Sequence, residues 1–124
     1  MPRHVLVVDD SALIRQVVQL GLSGRGWRVT PAGSGAEGLE LAEREPPDVI
    51  LLDVVMPDLD GPATLSALRA AERTRDVPVV FLTGTAEEDD VRRLRKLGAA
   101  GVIGKPFAPA ALPDLLASAV GWAA

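Results

Sequence analysis

The chain has 124 residues, of which 48% are hydrophobic, so we expect one domain over residues 1–124 with a single buried core and no second domain. Its formal net charge is −4, which argues against direct binding to nucleic acid because neutralising phosphates requires clustered lysine and arginine. It has no cysteine for a disulfide or thiolate metal site, and no apolar run approaches the ~20 residues that cross a bilayer, so we expect a cytoplasmic protein without a membrane partner.

Hydrophobic patterning predicts five strands that alternate with five helices. Short β-branched runs bounded by polar or turn residues are typical of buried parallel strands. Alternating strands and helices indicate an α/β fold, in which a doubly wound, mainly parallel sheet carries helices on both faces. The predicted strands are His4–Val8, Trp27–Ala32, Val49–Asp53, Val79–Thr83 and Gly101–Ile103.

Apolar residues spaced three and four apart predict which face each helix buries. The first helix is predicted from Ala12 to Leu22, with Leu13, Val17 and Leu20 on one face. The third covers about Ala63 to Glu72. The fifth carries a longer stripe, formed by Leu112, Leu115, Leu116, Ala119 and Val120.

Capping residues and prolines predict where three helices begin. Ser34 with Glu37, and Thr85 with Glu88, have the spacing of capping boxes and are predicted to start the second and fourth helices. Pro113 would remove a hydrogen bond in the first turn of the fifth helix, so regular helix is expected from about Leu112.

Polar residues follow four of the predicted strands at the point where each apolar run stops. Ligands of an open α/β sheet bind outside the carboxyl ends of its strands, so these side chains should converge on one edge. Asp9 or Asp10 could also be a simple helix cap, as could Ser11, but capping explains one acid and leaves the others unexplained. The converging residues are Asp9, Asp10, Asp53, Thr83 and Lys105.

Three neighbouring carboxylates predict a cation site. Two unit charges 4 Å apart repel by about 4 kcal/mol at an effective dielectric constant of 20, so the cluster needs a cation or a proton. Oxygen ligands without thiols favour Mg²⁺, which binds through one or two carboxylates plus a phosphate. Lys105 and Thr83 could then contact phosphoryl oxygens, and an aspartate could form an aspartyl phosphate.

Four segments of the chain resemble the receiver domain of bacterial two-component response regulators. They occur in order, each at a predicted strand end, and the resemblance covers the whole chain. The segments are Val7-Val8-Asp9-Asp10-Ser11, Leu51-Leu52-Asp53-Val54-Val55-Met56-Pro57-Asp58-Leu59-Asp60-Gly61, Phe81-Leu82-Thr83-Gly84 and Gly104-Lys105-Pro106-Phe107.

The resemblance implies a role for each site residue. Asp53 would be the phosphoacceptor and part of the Mg²⁺ site, where Asp10 binds directly and Asp9 through a water. Thr83 would be the switch hydroxyl and Lys105 the partner of the phosphoryl group. The family further implies a flavodoxin-like sheet in the order 2-1-3-4-5, a cis bond between Lys105 and Pro106, and a metal contact from the carbonyl of Val55.

The implied function is a stand-alone signalling switch rather than an enzyme acting on external substrates. A histidine kinase or histidine phosphotransfer protein would phosphorylate Asp53. Output would be a phosphorelay or the binding of a protein target at the fourth helix, fifth strand and fifth helix, and formation of a homodimer is left open.

Two alternatives remain. One is a receiver fold that binds partners without phosphorylation, because the family usually has an aromatic residue at the position of Val102. The other is a small phosphatase. It is less favoured, because similar haloacid-dehalogenase-like enzymes carry an acid at the position where this chain has Val55.

Overall fold

A computed structural model of the chain describes residues 3–85 and 87–122. Strands and helices alternate along it, and a short 3-10 helix at Pro109–Ala111 precedes the last helix. Across those two ranges, the helices are all too short or too polar to span a membrane. The elements are β1 (His4–Val8), α1 (Ala12–Ser23), β2 (Arg28–Ala32), α2 (Gly35–Arg44), β3 (Val49–Asp53), α3 (Gly61–Ala70), β4 (Val79–Thr83), α4 (Glu88–Lys96), β5 (Gly101–Gly104) and α5 (Leu112–Val120).

The five strands form one parallel sheet in the order β2-β1-β3-β4-β5. This confirms the predicted α/β class and the 2-1-3-4-5 order. The chain reverses its direction of winding between β1 and β3, which lie side by side at the centre of the sheet. Their carboxyl ends therefore open into the crevice where such sheets bind ligands.

Alternate residues of the central strands point to opposite faces of the sheet and form two buried clusters. Leu6, Ile50 and Phe81 belong to the cluster on the face covered by α2, α3 and α4. Val7 and Leu51 belong to the cluster on the face covered by α1 and α5. Helices on both faces explain why β3 and β4 are buried at every residue, and why their sequences are apolar runs rather than alternating patterns.

The predicted inward face of α1 is wrong. Leu13 and Leu20 are 68% and 76% exposed, whereas Val18 and Leu22 are fully buried. The helix is apolar on two sides, and a close approach selects between them: a β-carbon at Gly21 would overlap the backbone carbonyl of Pro109. The side that carries Gly21 is therefore the one that packs.

The helix starts show one wrong prediction and two that the structure supports. Ser34 caps α2 by accepting from the backbone amide of Glu37 at 3.1 Å, and α5 begins at Leu112 after the 3-10 turn. The predicted capping box at Thr85 and Glu88 does not form: α4 begins at Glu88 without a side-chain cap. The backbone of Thr85 bonds the Thr83 hydroxyl instead, which keeps this residue in the loop.

Gly61 brings the start of α3 against the end of β3, and Gly61→Ala should disturb that approach. A β-carbon there would lie 2.5 Å from the carbonyl oxygen of Asp53 and 2.8 Å from Cα of Val54. We expect a loss of about 1–3 kcal/mol in the free energy of unfolding, measured by urea denaturation. Gly24→Ala is the control, because its nearest neighbour would be 3.8 Å away, and it should change stability by less than about 0.5 kcal/mol. Equal effects of the two substitutions would contradict this explanation.

Candidate functional site

Three aspartates meet at the carboxyl ends of β1 and β3. Asp53 is the last residue of β3, and Asp9 and Asp10 follow β1 directly. One carboxylate oxygen from each residue lies within 4.8 Å of the other two. Asp9 and Asp53 are buried, while Asp10 is exposed to solvent. The predicted convergence of the three acids is therefore present.

Lys105 bridges the two buried carboxylates from the loop after β5. Its Nζ lies 3.1 Å from Oδ2 of Asp9 and 3.1 Å from Oδ1 of Asp53. Its backbone amide donates to the carbonyl of Thr83 at 2.7 Å, which fixes this loop against the end of β4. The bond from Lys105 to Pro106 is cis, as predicted.

Burial and charge shift the protonation of this pair. Burial and the carboxylate of Asp9 raise the pKa of Asp53, although the hydrogen bond from Lys105 acts in the opposite direction. Burial disfavours the charged amine of Lys105, but the carboxylates of Asp9 and Asp53 outweigh it and raise its pKa. The lysine therefore stays charged at neutral pH, while the ionised form of Asp53 is disfavoured by its surroundings.

Asp9 is held at four atoms. Its amide donates to the carbonyl of Ala32 at 3.1 Å, and its Oδ1 accepts from the amide of Ser11 at 2.9 Å. Its carbonyl accepts from Nη1 of Arg15 at 2.7 Å, and Lys105 holds Oδ2. Arg15 was not among the predicted site residues, although a lone basic residue in an otherwise uncharged helix was a signal that could have identified it.

Ser11, rather than Asp10, caps α1. Its hydroxyl accepts from the backbone amide of Ile14 at 3.3 Å. The alternatives left open by the sequence are thereby resolved, and the exposed carboxylate of Asp10 is not used as the helix cap.

Thr83 lies at the same edge, but its hydroxyl is engaged by its own loop. The hydroxyl donates to the carbonyl of Thr85 at 3.0 Å and accepts from the amide of Thr85 at 3.2 Å. The residue is buried at the end of β4, beside the segment that carries Lys105. Its position at the carboxyl end of β4 is as predicted, and its hydroxyl makes both bonds to Thr85.

Two further positions bear on the predicted site. Val55 has a side chain that is 78% exposed, and no described contact tests a metal role for its carbonyl, which stays a prediction. Val102 is partly buried and packs against the cluster that contains Leu94.

The donor set fits a hard divalent cation. Three carboxylates and one ammonium group leave a formal charge of about −2, which matches one divalent cation in charge. The neighbouring ligand atoms are all oxygens, which Mg²⁺ prefers over the softer metals. His4, the one histidine, begins β1 and so lies at the opposite end of the strands from these acids.

Comparisons with known proteins show to which family this chain is similar. The sequence model of the response regulator receiver domain matches residues 5–117. The chain is 34% identical to the chemotaxis protein CheY4 of Vibrio cholerae, whose crystal structure superposes with a TM-score of 0.89 over 96% of this chain and 99% of that one.

Curated relatives are longer than this chain. The probable transcriptional regulator ycf27 of Guillardia theta is 40% identical over 85% of this chain and 40% of its own length. The transcriptional regulatory protein PdtaR of Mycobacterium tuberculosis is 39% identical over 86% of this chain and 51% of its own length. The chain thus spans about half or less of these relatives.

The raised pKa of Asp53 predicts how Asp53→Asn changes stability with pH. A carboxyl whose pKa in the folded protein exceeds its ordinary value of 3.8 stabilises the fold while protonated, and that contribution is lost as the pH rises through the raised pKa. Without divalent cations, Asp53→Asn should therefore unfold at higher urea concentration than wild type at neutral pH. The difference should shrink toward zero as the pH falls to 3.8 and below.

Asp58→Asn is the matched control for this series. Asp58 is exposed in the loop after β3 and has a φ of 67°, a conformation that asparagine adopts readily. Because this side chain is exposed, the substitution should leave the stability at neutral pH unchanged. A wild-type protein more stable than Asp53→Asn at neutral pH would contradict a raised pKa of Asp53.

Proposed function

This chain belongs to the response regulator receiver domain family, and we propose that it is a phosphorylation-activated switch whose phosphoacceptor is Asp53. The observation that carries the proposal is the ammonium of Lys105, 3.1 Å from the carboxylates of both Asp9 and Asp53, beside the exposed acid Asp10. Such an arrangement offers a nucleophile and a cation to an incoming phosphoryl group, together with acids that recruit a second cation.

The proposed reaction is direct phosphoryl transfer. A carboxylate oxygen of Asp53 forms a bond to phosphorus as the bond from phosphorus to a histidine nitrogen of the donor breaks and its electron pair stays on that nitrogen. Lys105 donates a hydrogen bond to a phosphoryl oxygen in place of one of its present carboxylate partners. The donor would be a histidine kinase or a histidine phosphotransfer protein.

The acidic cluster would hold the metal ion that this chemistry uses. Asp9, Asp10 and Asp53, with the carbonyl of Val55, would bind Mg²⁺, whose charge would offset that of the phosphoryl oxygens. Charge neutralisation and positioning account for most of the catalysis in phosphoryl transfer, so the residues of this site need supply no further acid or base.

Thr83 supports a route from the site to the surface. Phosphorylation adds roughly −1.5 to −2 charges next to Asp53, which would attract the hydroxyl of Thr83. Turning that hydroxyl inward would break both of its bonds to the backbone of Thr85. The loop before α4 would then have to rearrange, which would alter the surface formed by α4, β5 and α5, where we propose that a protein target binds.

The alternative functions have less support. A phosphatase of the aspartyl-phosphate type would need an acid two residues after Asp53, where the exposed Val55 stands, so we propose that the protein catalyses only its own phosphorylation and dephosphorylation. A binding module independent of phosphorylation would leave the strained arrangement of Asp53 and Lys105 without a role. The target, formation of a homodimer, the single-domain organisation and the cytoplasmic location stay predictions.

Intact-protein mass spectrometry after incubation with acetyl phosphate tests the proposal. We expect one phosphoryl adduct that requires Mg²⁺ on the wild-type protein and no adduct on Asp53→Asn. Asp58→Asn, the control with the same loss of charge in the neighbouring loop, should be labelled like wild type. Labelling of Asp53→Asn at the wild-type level would contradict the assignment of the phosphoacceptor, and no labelling of folded wild type would favour the binding module.

Hydrogen exchange tests the proposed role of Thr83. In wild type, phosphorylation should speed exchange of the Thr85 amide at least several-fold, because that amide loses its bond to the Thr83 hydroxyl. Thr83→Ala should show fast exchange before phosphorylation and no further change after it. Thr85→Ala is the control, because only its backbone takes part in these bonds, and it should respond like wild type. Slow exchange of the Thr85 amide in Thr83→Ala would contradict the model.

A further inference from the structure

We infer that Arg15 is a positioning residue for the cation site, acting through the peptide bond that joins Asp9 to Asp10. Its Nη1 donates to the carbonyl oxygen of Asp9 at 2.7 Å. This inference rests on the proposed function, because it assigns Arg15 to the acids that would hold Mg²⁺. Nothing in the phosphoryl chemistry described above uses this side chain.

The carbonyl that Arg15 holds belongs to the peptide plane between two acids. Because that plane is rigid, fixing its oxygen also fixes the direction in which the chain leaves Asp9 and enters Asp10. Rotation of the plane would move both carboxylates relative to Asp53. A single hydrogen bond can therefore set the geometry of two of the three acids in the cluster.

Other contacts of Asp9 do not hold the peptide plane that follows it, and its amide, which donates to Ala32, belongs to the plane before it. Lys105 holds Oδ2 of Asp9, but it also serves Asp53 and would have to serve the phosphoryl group. Ser11 holds Oδ1 through its own backbone, which lies in the same turn and would move with it. Arg15 belongs to α1, a helix anchored in the core, and therefore holds the carbonyl of Asp9 from outside this turn.

The side chain of Arg15 is itself confined. A β-carbon at Gly33 would lie 3.5 Å from Nη1 of Arg15 and 3.7 Å from Oε1 of Glu37, so the guanidinium lies beside the turn after β2. That turn is also tied down, because the amide of Gly33 donates to Glu37 at 2.6 Å. A guanidinium between α1 and this turn is restricted before any ligand binds, which lowers the entropy cost of the bond.

Positioning and simple charge predict opposite effects on metal affinity. Arg15 is a cation close to a cation site, so if it acted only through its charge, removing it would strengthen Mg²⁺ binding. If it positions Asp9 and Asp10, removing it would weaken binding, as the loss of outer contacts to metal ligands commonly does by tenfold or more. The sign of the change thus separates the two roles.

Isothermal titration calorimetry with Mg²⁺ on the whole chain measures that sign. We expect Arg15→Met to raise the Kd by about tenfold, and Arg15→Gln to raise it similarly if Arg15→Met does not fold. Arg15→Lys, which keeps the charge and one donor, should return the Kd to within about threefold of wild type. Arg25→Met is the matched control: it removes the same charge from an exposed ion pair with Asp114 and should leave the Kd unchanged.

Thermal denaturation of each variant establishes that it is folded at the temperature of the titration. An unchanged or lower Kd in folded Arg15→Met or Arg15→Gln would overturn the inference. If wild type takes up the phosphoryl group while these variants bind Mg²⁺ normally, the role of Arg15 fails and the proposed function stands. A wild-type protein that binds no Mg²⁺ would overturn both.

Discussion

The ammonium group of Lys105 between Asp9 and Asp53 is the contact on which the rest of the site depends. Lys105 lies 96 residues after Asp9 and 52 residues after Asp53, so this contact forms only when the loop after β5 reaches the ends of β1 and β3. Two buried carboxylates without such a partner would carry a large desolvation penalty. With it, the cluster is stable enough to fold but still carries a formal excess of negative charge, which disposes it to bind a cation.

In the proposed function, the hydroxyl of Thr83 would couple that site to the backbone at Thr85. Both of its hydrogen bonds go to the backbone of Thr85, so this backbone is held by the same group that a phosphoryl oxygen would attract. A buried hydroxyl can satisfy one set of partners at a time, and the amide that it abandons must find another. In the proposed switch, competition for this single hydroxyl would link phosphorylation of Asp53 to the backbone at Thr85.

The fourth helix is well suited to respond to this loop. Among its residues only Leu94 is buried, and its surface carries ion pairs of Arg92 with Asp89 and of Arg93 with Asp90, which contribute little to stability. Elements with few buried contacts move at low cost. In the proposed switch, the loop would therefore displace α4 at low cost, and Val102 packs against the same buried cluster as Leu94.

Local patterns in the sequence were sufficient for the strands, the order of elements and the identity of the clustered acids. An apolar run that ends in Asp53 or Thr83 identifies a buried strand without reference to any other segment. The motifs at the ends of these runs indicated the family, and the family implied the strand order. Three other features depended on the folded arrangement of the chain: one is a contact between distant segments, and two are side-chain contacts within six residues. The packed face of α1 was decided by the approach of Gly21 to Pro109, because a helix that is apolar on two sides carries no preference of its own. The hydroxyl of Thr83 holds Thr85 in the loop rather than at a helix cap, and the side chain of Arg15 reaches back from the first turn of α1 to the carbonyl of Asp9.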